Sequence, residues 1–327
     1  MAEYQGVWVY AEQKNGEIKN VTYELLGQAV KLAGSLDTFV STVLAGHNIE
    51  EKAKELIAYG ADRVYVIDDK RLEVYNDEIY CDLLSQLIVM YKPDIFLFGA
   101  SIHGRSLAPR LASRFNTGLT ADCTALEIDL KEKLLLQTRP AFGGGLLATI
   151  VCAHNKPQMT TVRPKAMKMP EPDRLRSGIV VKPLIRLKDP VTELLQVVSD
   201  VNADSLQEAD TIISVGRGIG TKNNIDMVFE LAALLGGAVG ATRAVVDAGW
   251  INYRRQIGQT GVTVAPKLYV ACGISGAVQH LAGIMSSKKI IAINKDPKAA
   301  IFNVAHYGIV GDLQEILPAF ISKIKRK

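Results

Sequence analysis

The chain has 327 residues, 48% hydrophobic and 22% charged, with a net charge of +4. That length predicts two domains, and that balance supports packed cores rather than a disordered chain. The charge is too mild for a nucleic-acid binder, and no run of 18 or more apolar residues is present, so no membrane span is expected.

The four cysteines, Cys81, Cys123, Cys152 and Cys272, show no C-x-x-C spacing, and no Cys/His cluster resembles a metal site. They read as small core residues of a reducing compartment. The opening "MAEYQGVWVYAEQ" lacks a basic segment followed by an apolar one, so no signal peptide and a cytoplasmic location are expected. Charge is unevenly placed. From Ser205 onward there are 14 Lys/Arg against 8 Asp/Glu, a net of +6, so the second half is the expected home of an anionic ligand.

The first half alternates strand and helix patterns. "GVWVYAE", "TFVSTVLAG", "RVYVID" and "DIFLFGA" read as strands. "VTYELLGQAVKLAG" reads as a helix stopped by Gly34, and "NIEEKAKELIAYG" as one capped by Asn48. "YNDEIYCDLLSQLIVMYK" ends before Pro93, and "GRSLAPRLASRF" begins another helix. This alternation predicts a mostly parallel sheet. Around residues 119–186, "TADCTALEIDL", "KLLLQTRPAF", "LLATIVCA", "QMTTVRP" and "IVVKPLIRL" read as strands without helices between them, and are expected as antiparallel additions. "KAMKMPEPDRLRSG" reads as a loop among them. The polar stretch "SDVNADSLQEAD" predicts a boundary between a first domain over 1–204 and a second over 205–327. The second restarts the alternation, with strands in "TIISVG", "AVGATRAV", "LYVACG", "KIIAIN" and "YGIVG" and helices in "NNIDMVFELAALLG", "GAVQHLAGIM" and "DLQEILPAFISKI". The fold class is therefore α/β with two Rossmann-like domains: a mostly parallel N-terminal sheet with antiparallel additions, and an open parallel C-terminal sheet.

Open parallel sheets bind ligands at the carboxyl ends of their strands. In the second domain those ends carry Gly216-Arg217-Gly218-Ile219-Gly220, then Thr242-Arg243, then "GISGAVQH", then Lys295-Asp296-Pro297, then Asp312-Leu313. The polar loop "RRQIGQTG" lies between the second and third strands. Glycines admit backbone N–H groups to a phosphate, and helix starts favour anions. "SVGRGIG" departs from a dinucleotide fingerprint: position 221 is Thr, and "GGAVG" offers no acid for a ribose. Plainer readings stand beside this one. Arg217 and Arg243 can form ion pairs, for instance with Asp247. Gln256 and Gln259 can cap a surface loop, Asn294 and Asp296 can form an Asx-turn, and His280 can be a buried hydrogen-bonder. No G-x-S-x-G, H-E-x-x-H or P-loop is present, and none of His47, His103, His154, His280 and His306 pairs with an evident nucleophile, so no catalytic residue is expected. A binding site without such groups leaves the chemistry to its ligand.

The segments "SVGRGIG", "ATRAVVDAGW", "RQIGQTGVTVAPKLYVACGISGAVQHLAG", "AINKDPKAAIF" and "HYGIVGDL" resemble the α subunit of the electron-transfer flavoproteins. "FGASIHGRSLAPRLASRF", "LTADCTALEID" and "TRPAFGGGLLATI" extend a looser likeness over the first half. The resemblance implies one half of a heterodimer, with FAD in the second domain and the first packed against a β subunit that carries AMP or a second FAD. It places Arg217, Thr242, Gln259, Ser275, Gln279, Asn294 and Asp312 along the FAD phosphates, ribose and adenine. Arg243, Thr260 and His280 fall around the flavin ring. The runs Gln256-Ile257-Gly258, Gly276-Ala277-Val278 and Leu313 complete the cofactor contacts. His280 is expected to donate to the ring's C2 carbonyl, and Arg243, Thr260 and the helix start at Ser275–Gly276 to stabilise negative charge there. The family moves electrons between flavin dehydrogenases, such as acyl-CoA dehydrogenase in fatty acid β-oxidation, and other redox partners. Short members from anaerobes, which this chain resembles, also join NADH-dependent electron bifurcation. Without a ferredoxin-like extension or cysteine clusters, no iron–sulfur centre is expected. The alternatives are an NAD-dependent enzyme built on the same dinucleotide domain and a nucleotide-sensing interaction protein.

Overall fold

The computed structural model describes residues 3–141, 146–192, 194–196 and 206–326. The chain divides into two compact units, one of Met1–Ala141 with Leu146–Gln196, the other containing Val197–Lys327. The expected boundary at 204/205 lies outside the described residues.

The first unit begins with β1 (Val7–Ala11), five consecutive buried residues, as a strand covered on both faces requires. A two-rung hairpin follows, β2 (Gln13–Lys14) with β3 (Glu17–Ile18). Helix α1 (Asn20–Leu36) runs through Gly34 and stops instead at Asp37, in the left-handed region at φ 51°. Aspartate tolerates that conformation, and its N–H closes on the Ala33 carbonyl. After β4 (Val40–Gly46), Asn48 does not cap a helix. Its N–H donates to Asp68 at 2.8 Å, as does that of Ile49, so a carboxylate from the end of β5 (Arg63–Asp68) caps the turn leading into α2 (Ala53–Ala58). Asn76 caps α3 (Asp77–Tyr91), and Ser101, after β6 (Ile95–Gly99), caps α4 (Ile102–Arg114).

The strands of residues 119–186 correct the expectation of antiparallel additions. Three of them, β7 (Leu119–Cys123), β11 (Gln158–Val162) and β12 (Ile179–Val181), join the main sheet in parallel, in the order β12-β5-β4-β1-β6-β11-β7. All five residues of β11 are buried between β6 and β7, which makes it an interior strand. Only β8 (Ala125–Asp129), β9 (Leu134–Pro140) and β10 (Leu147–Ile150) pair antiparallel, as a separate sheet. Connections of the main sheet reverse direction between β1 and β6, where a doubly wound fold opens its ligand crevice. Here the crevice holds the buried Glu12, whose carboxylate accepts from the Ser101 hydroxyl.

The second unit is a five-stranded parallel sheet in the order β14-β13-β15-β16-β17. Its strands are β13 (Thr211–Val215), β14 (Ala238–Ala241), β15 (Leu268–Cys272), β16 (Ile290–Asn294) and β17 (Tyr307–Val310). "AVGATRAV", expected as one strand, breaks at Thr242, and Arg243–Asp247 forms the helical turn α6. One face of the sheet is covered by α5 (Ile225–Leu234) and α8 (Leu313–Lys325), whose Val228, Leu231, Leu317 and Ile321 pack on Ile213, Val215, Val270 and Ile293. The other face packs against irregular chain through Ile257, Val264, Ile274, Ile284 and Ile301. Among the described residues no helix is long and apolar enough to cross a membrane.

Ser101→Ala removes both the α4 cap and the hydroxyl that donates to the Glu12 carboxylate. A stability loss of about 2 kcal/mol is expected in urea unfolding; a change below about 0.5 kcal/mol would refute the paired role.

Candidate functional site

Strands β13 and β15 end side by side at Val215 and Cys272, the point where the connections of the second sheet reverse. Each is followed by glycine, and the two loops cross in contact. The Gly216 N–H donates to the Cys272 carbonyl at 2.8 Å and the Gly218 N–H to the Gly273 carbonyl at 3.0 Å. A Cβ on Gly218 would lie 2.7 Å from the Gly273 Cα, closer than any real contact. The glycines of "SVGRGIG", expected to admit a phosphate, therefore admit the neighbouring loop. The Ile219 and Gly220 N–H groups close on carbonyls of the same turn. What this loop presents outward is the exposed Arg217, whose side chain makes no hydrogen bond or ion pair among the described residues.

The second loop keeps its donors open. The N–H groups of Ser275, Gly276, Ala277, Val278 and Gln279 donate to no backbone carbonyl among the described residues. Gly276 has φ 89°, and a Cβ there would fall 2.2 Å from the Ile301 nitrogen. The Ile301 N–H in turn holds the Ser275 carbonyl at 3.0 Å. The loop is thus fixed through Ser275 and Gly276 against the chain at Ile301. The helix expected over "GAVQHLAGIM" is a single turn, α7 (Val278–Leu281), too short for a summed macrodipole. Individual N–H groups replace it.

The remaining predicted residues fall into two classes. Ser275, Gln259 and Gln279 have exposed side chains with no side-chain partner among the described residues. The others are engaged with the protein. Arg243 Nε pairs with the Asp247 carboxylate at 3.3 Å on an exposed surface, a contact of little energy that a ligand can displace. The buried Gln256 donates to Thr260 Oγ1 at 3.0 Å, and Thr260, itself exposed, accepts from Tyr253 through its carbonyl. Asn294 donates to the Ile274 carbonyl at 2.9 Å and accepts the Asp296 N–H, the Asx-turn foreseen as a plain reading. Asp312 caps α8. The Leu313 side chain is buried in the core against α5, so it is unsuited to touch a ligand at this edge. Thr242, half-buried, follows β14 and its carbonyl accepts the Val245 N–H.

His280 differs most from its expected role. It is buried, with Nδ1 3.0 Å from the Ile257 carbonyl and Nε2 3.0 Å from the Tyr269 hydroxyl. A carbonyl only accepts, so Nδ1 carries the proton and Nε2 accepts from the phenol. Burial pushes the imidazole pKa down to about 4, with the Ile257 contact opposing. His280 is neutral here, and both its ring nitrogens engage protein groups. Gly258, packed against Gln279, and the Gln259 N–H, bonded to the Gln279 carbonyl at 2.8 Å, join the same two segments. Tyr269 and Tyr253 were missed in the sequence. The available signal was a lone hydroxyl-bearing aromatic in the otherwise aliphatic strand "LYVAC".

With this geometry in place, comparison with known proteins is decisive. Residues 7–183 match the model of the electron transfer flavoprotein domain, and residues 205–285 that of the electron transfer flavoprotein FAD-binding domain. The electron transfer flavoprotein subunit alpha of Thermoanaerobacterium thermosaccharolyticum is 53% identical, over 100% of this chain and 99% of its own length. The chain belongs to the family of electron transfer flavoprotein alpha subunits. The alpha subunit from Clostridium acetobutylicum is 45% identical over 99% of this chain and 98% of its own length. Subunit LctC of the lactate dehydrogenase (NAD(+),ferredoxin) of Acetobacterium woodii is 46% identical over 98% of this chain and 77% of its own length.

The depressed His280 pKa has a testable consequence. Between pH 6.5 and about 4 the unfolded chain binds a proton that the folded chain refuses. This residue's contribution is complete above pH 6.5 and is lost as pH falls through that window. Urea unfolding between pH 7 and pH 4.5 should show the wild type losing about 2–3 kcal/mol more than His280→Gln. Parallel curves would contradict a neutral buried imidazole.

Proposed function

We propose that the second unit, 205–327, binds FAD at the β13/β15 edge, and that the chain serves as the α subunit of a heterodimeric electron carrier. The observation that carries this reading is the run of five unengaged backbone N–H groups at residues 275–279, placed at the sheet's topological switch point. Such a run suits an anionic diphosphate, and the family model that matches here is described as FAD-binding. Ser275 and Arg217, whose side chains are exposed and have no partner among the described residues, add a hydroxyl and a permanent charge. Gln279, Asn294 and Asp312 extend the edge toward the ribose and adenine. Arg243, Thr260, Gln256 and Gln259 line the side assigned to the ring, with Thr242 between. The backbones of Ile257, Gly258, Gly276, Ala277, Val278 and Leu313 shape the path. When bound, the flavin supplies the redox chemistry. The chain's residues hold it, set its potential and limit water access. An NAD-dependent reading finds no support at the end of β14, where Thr242 and Arg243 stand in place of the acid that binds a ribose.

The first unit, assigned residues 1–204, would pack against a β subunit carrying AMP or a second FAD. The redox partner would be a flavin dehydrogenase such as an acyl-CoA dehydrogenase. The likeness to a subunit of an NAD- and ferredoxin-linked lactate dehydrogenase supports a place in electron bifurcation as well. The visible spectrum of the heterodimer purified with its β subunit tests the central reading: flavin bands are expected, and a colourless preparation that takes up no added FAD overturns it.

Two arginines separate holding from tuning. Arg217→Ala should raise the FAD dissociation constant about tenfold with little change in potential, as loss of one charge-assisted contact predicts. Arg243→Ala should lower the first one-electron potential by about 60 mV, which is about 1.4 kcal/mol for one electron, with FAD retained. Redox titration beside equilibrium dialysis reads both, and identical behaviour of the two variants would remove the distinction.

A further inference from the structure

We propose that residues 188–192 form a releasable latch, closed by the Glu78 carboxylate, that sets how far the chain leaving the first unit can reach. Its use in electron transfer rests on the reading that the second unit carries the flavin.

After β12 the chain runs from Lys182 to Thr192 without helix or strand. Pro183 and Pro190 bracket this strap. A proline has no N–H to donate and keeps the residue before it extended, so the strap is pre-extended yet poorly suited to join a sheet. Ile185 and Leu187 pack on the core that α3 shares with the main sheet, whereas Leu184, Arg186 and Lys188 are exposed.

The strap's backbone is held by side chains. Among the described residues, no backbone-to-backbone hydrogen bond outside the helices and strands involves residues 184–192. Instead Glu78, Asp82 and Gln86, spaced four apart along one face of α3, meet the strap in turn. Gln86 binds Arg186 twice, accepting its N–H at 3.1 Å and donating to its carbonyl at 2.9 Å. The Asp82 carboxylate lies 3.4 Å from Lys188 Nζ. One oxygen of Glu78 accepts the Val191 N–H at 2.9 Å, the Thr192 N–H at 3.4 Å and the Thr192 hydroxyl at 3.3 Å. Arg71 donates to the Leu187 carbonyl at 3.0 Å, and Asn76, the cap of α3, donates to Thr192 Oγ1 at 3.2 Å.

The two ends of the strap are therefore held by different forces. As far as Leu187 it is anchored by apolar burial, a reciprocal pair of bonds and an arginine. Past Leu187 no residue is buried, and Val191 is 96% exposed. The contact of Lys188 with Asp82 is an exposed ion pair of little energy. Glu78 is then the main hold on this end, with Asn76 beside it. Opening it breaks charge-assisted bonds that water can replace, whereas freeing Leu187 would expose core, so the opening stops at Leu187. Five extended residues span about 17 Å, so an open latch lets Thr192 move anywhere within that distance of Leu187. Beyond Thr192 the chain leads to the second unit. The latch thus sets the travel of the unit assigned the flavin.

The test uses the heterodimer purified with its β subunit, as wild type, Glu78→Ala, Glu78→Gln and Val191→Pro. Hydrogen exchange at Val191 and Thr192 reads the latch. Glu78→Ala should speed exchange there about tenfold, with Leu187 and α3 unchanged. Glu78→Gln keeps an acceptor without the charge and should fall between. Val191→Pro removes a donor from the strap and leaves α3 untouched, so it should match Glu78→Ala at Thr192 and guards against an effect on the helix. Small-angle X-ray scattering reads the reach: the largest dimension of the particle should rise by up to about 17 Å in both variants. Unchanged exchange at Thr192 in either variant overturns the latch. Faster exchange with an unchanged scattering profile overturns its role in setting reach. Faster exchange at Leu187 as well overturns the division of the strap at that residue. A wild-type heterodimer that takes up no flavin overturns the functional reading, while exchange and scattering still decide the latch.

Discussion

Two stretches of backbone in contact, at Gly218 and Gly273, set the geometry on which the second unit depends. Strands in a parallel sheet lie about 4.8 Å apart, and loops leaving adjacent strands at a switch point ordinarily diverge. Here they converge, because neither loop carries a Cβ at the crossing. With the first loop's N–H groups engaged to the second, the second is supported by it, and its own N–H groups at 275–279 donate to no backbone carbonyl among the described residues. The order of effects is steric first and electrostatic afterwards. A glycine pair permits the approach, the approach fixes the loop, and the fixed loop presents five donors.

The same division between support and presentation runs through the polar side chains. His280, Gln256, Asn294 and Asp312 hold protein segments together, whereas Arg217, Ser275, Gln259 and Gln279 are exposed and unbonded. Burying an imidazole between a phenol and a carbonyl stabilises a neutral ring and makes it a poor source of positive charge. Positive charge at this edge therefore resides in the arginines and in backbone N–H groups, which keep it at any physiological pH.

Much of this was legible in the sequence. The alternation of apolar runs and helical periods pointed to both parallel sheets, and glycines do follow β13 and β15. The misreadings share a physical cause. Asn48 resembles a cap, but the cap is Asp68, twenty residues away and brought close only by strand pairing. "QMTTV", expected as an antiparallel addition, is an interior parallel strand between β6 and β7, where Thr160 and Gln158 find partners from other strands. The partners of the His280 ring, the Ile257 carbonyl and the Tyr269 hydroxyl, likewise lie 23 and 11 residues off. Local pattern reports periodicity and backbone freedom. It does not report which distant group reaches a buried polar atom first.

The buried Glu12 at the switch point of the first unit has a thermodynamic consequence. The Glu12 side chain belongs to the chain itself, so it stands at that switch point at unit occupancy whatever the solution contains. The open donors of residues 275–279 are different: any anion they hold arrives by mass action and adds stability in proportion to the logarithm of its concentration. The switch point of the first unit is thus filled by a side chain, and that of the second is lined by backbone N–H groups that donate to no backbone carbonyl among the described residues.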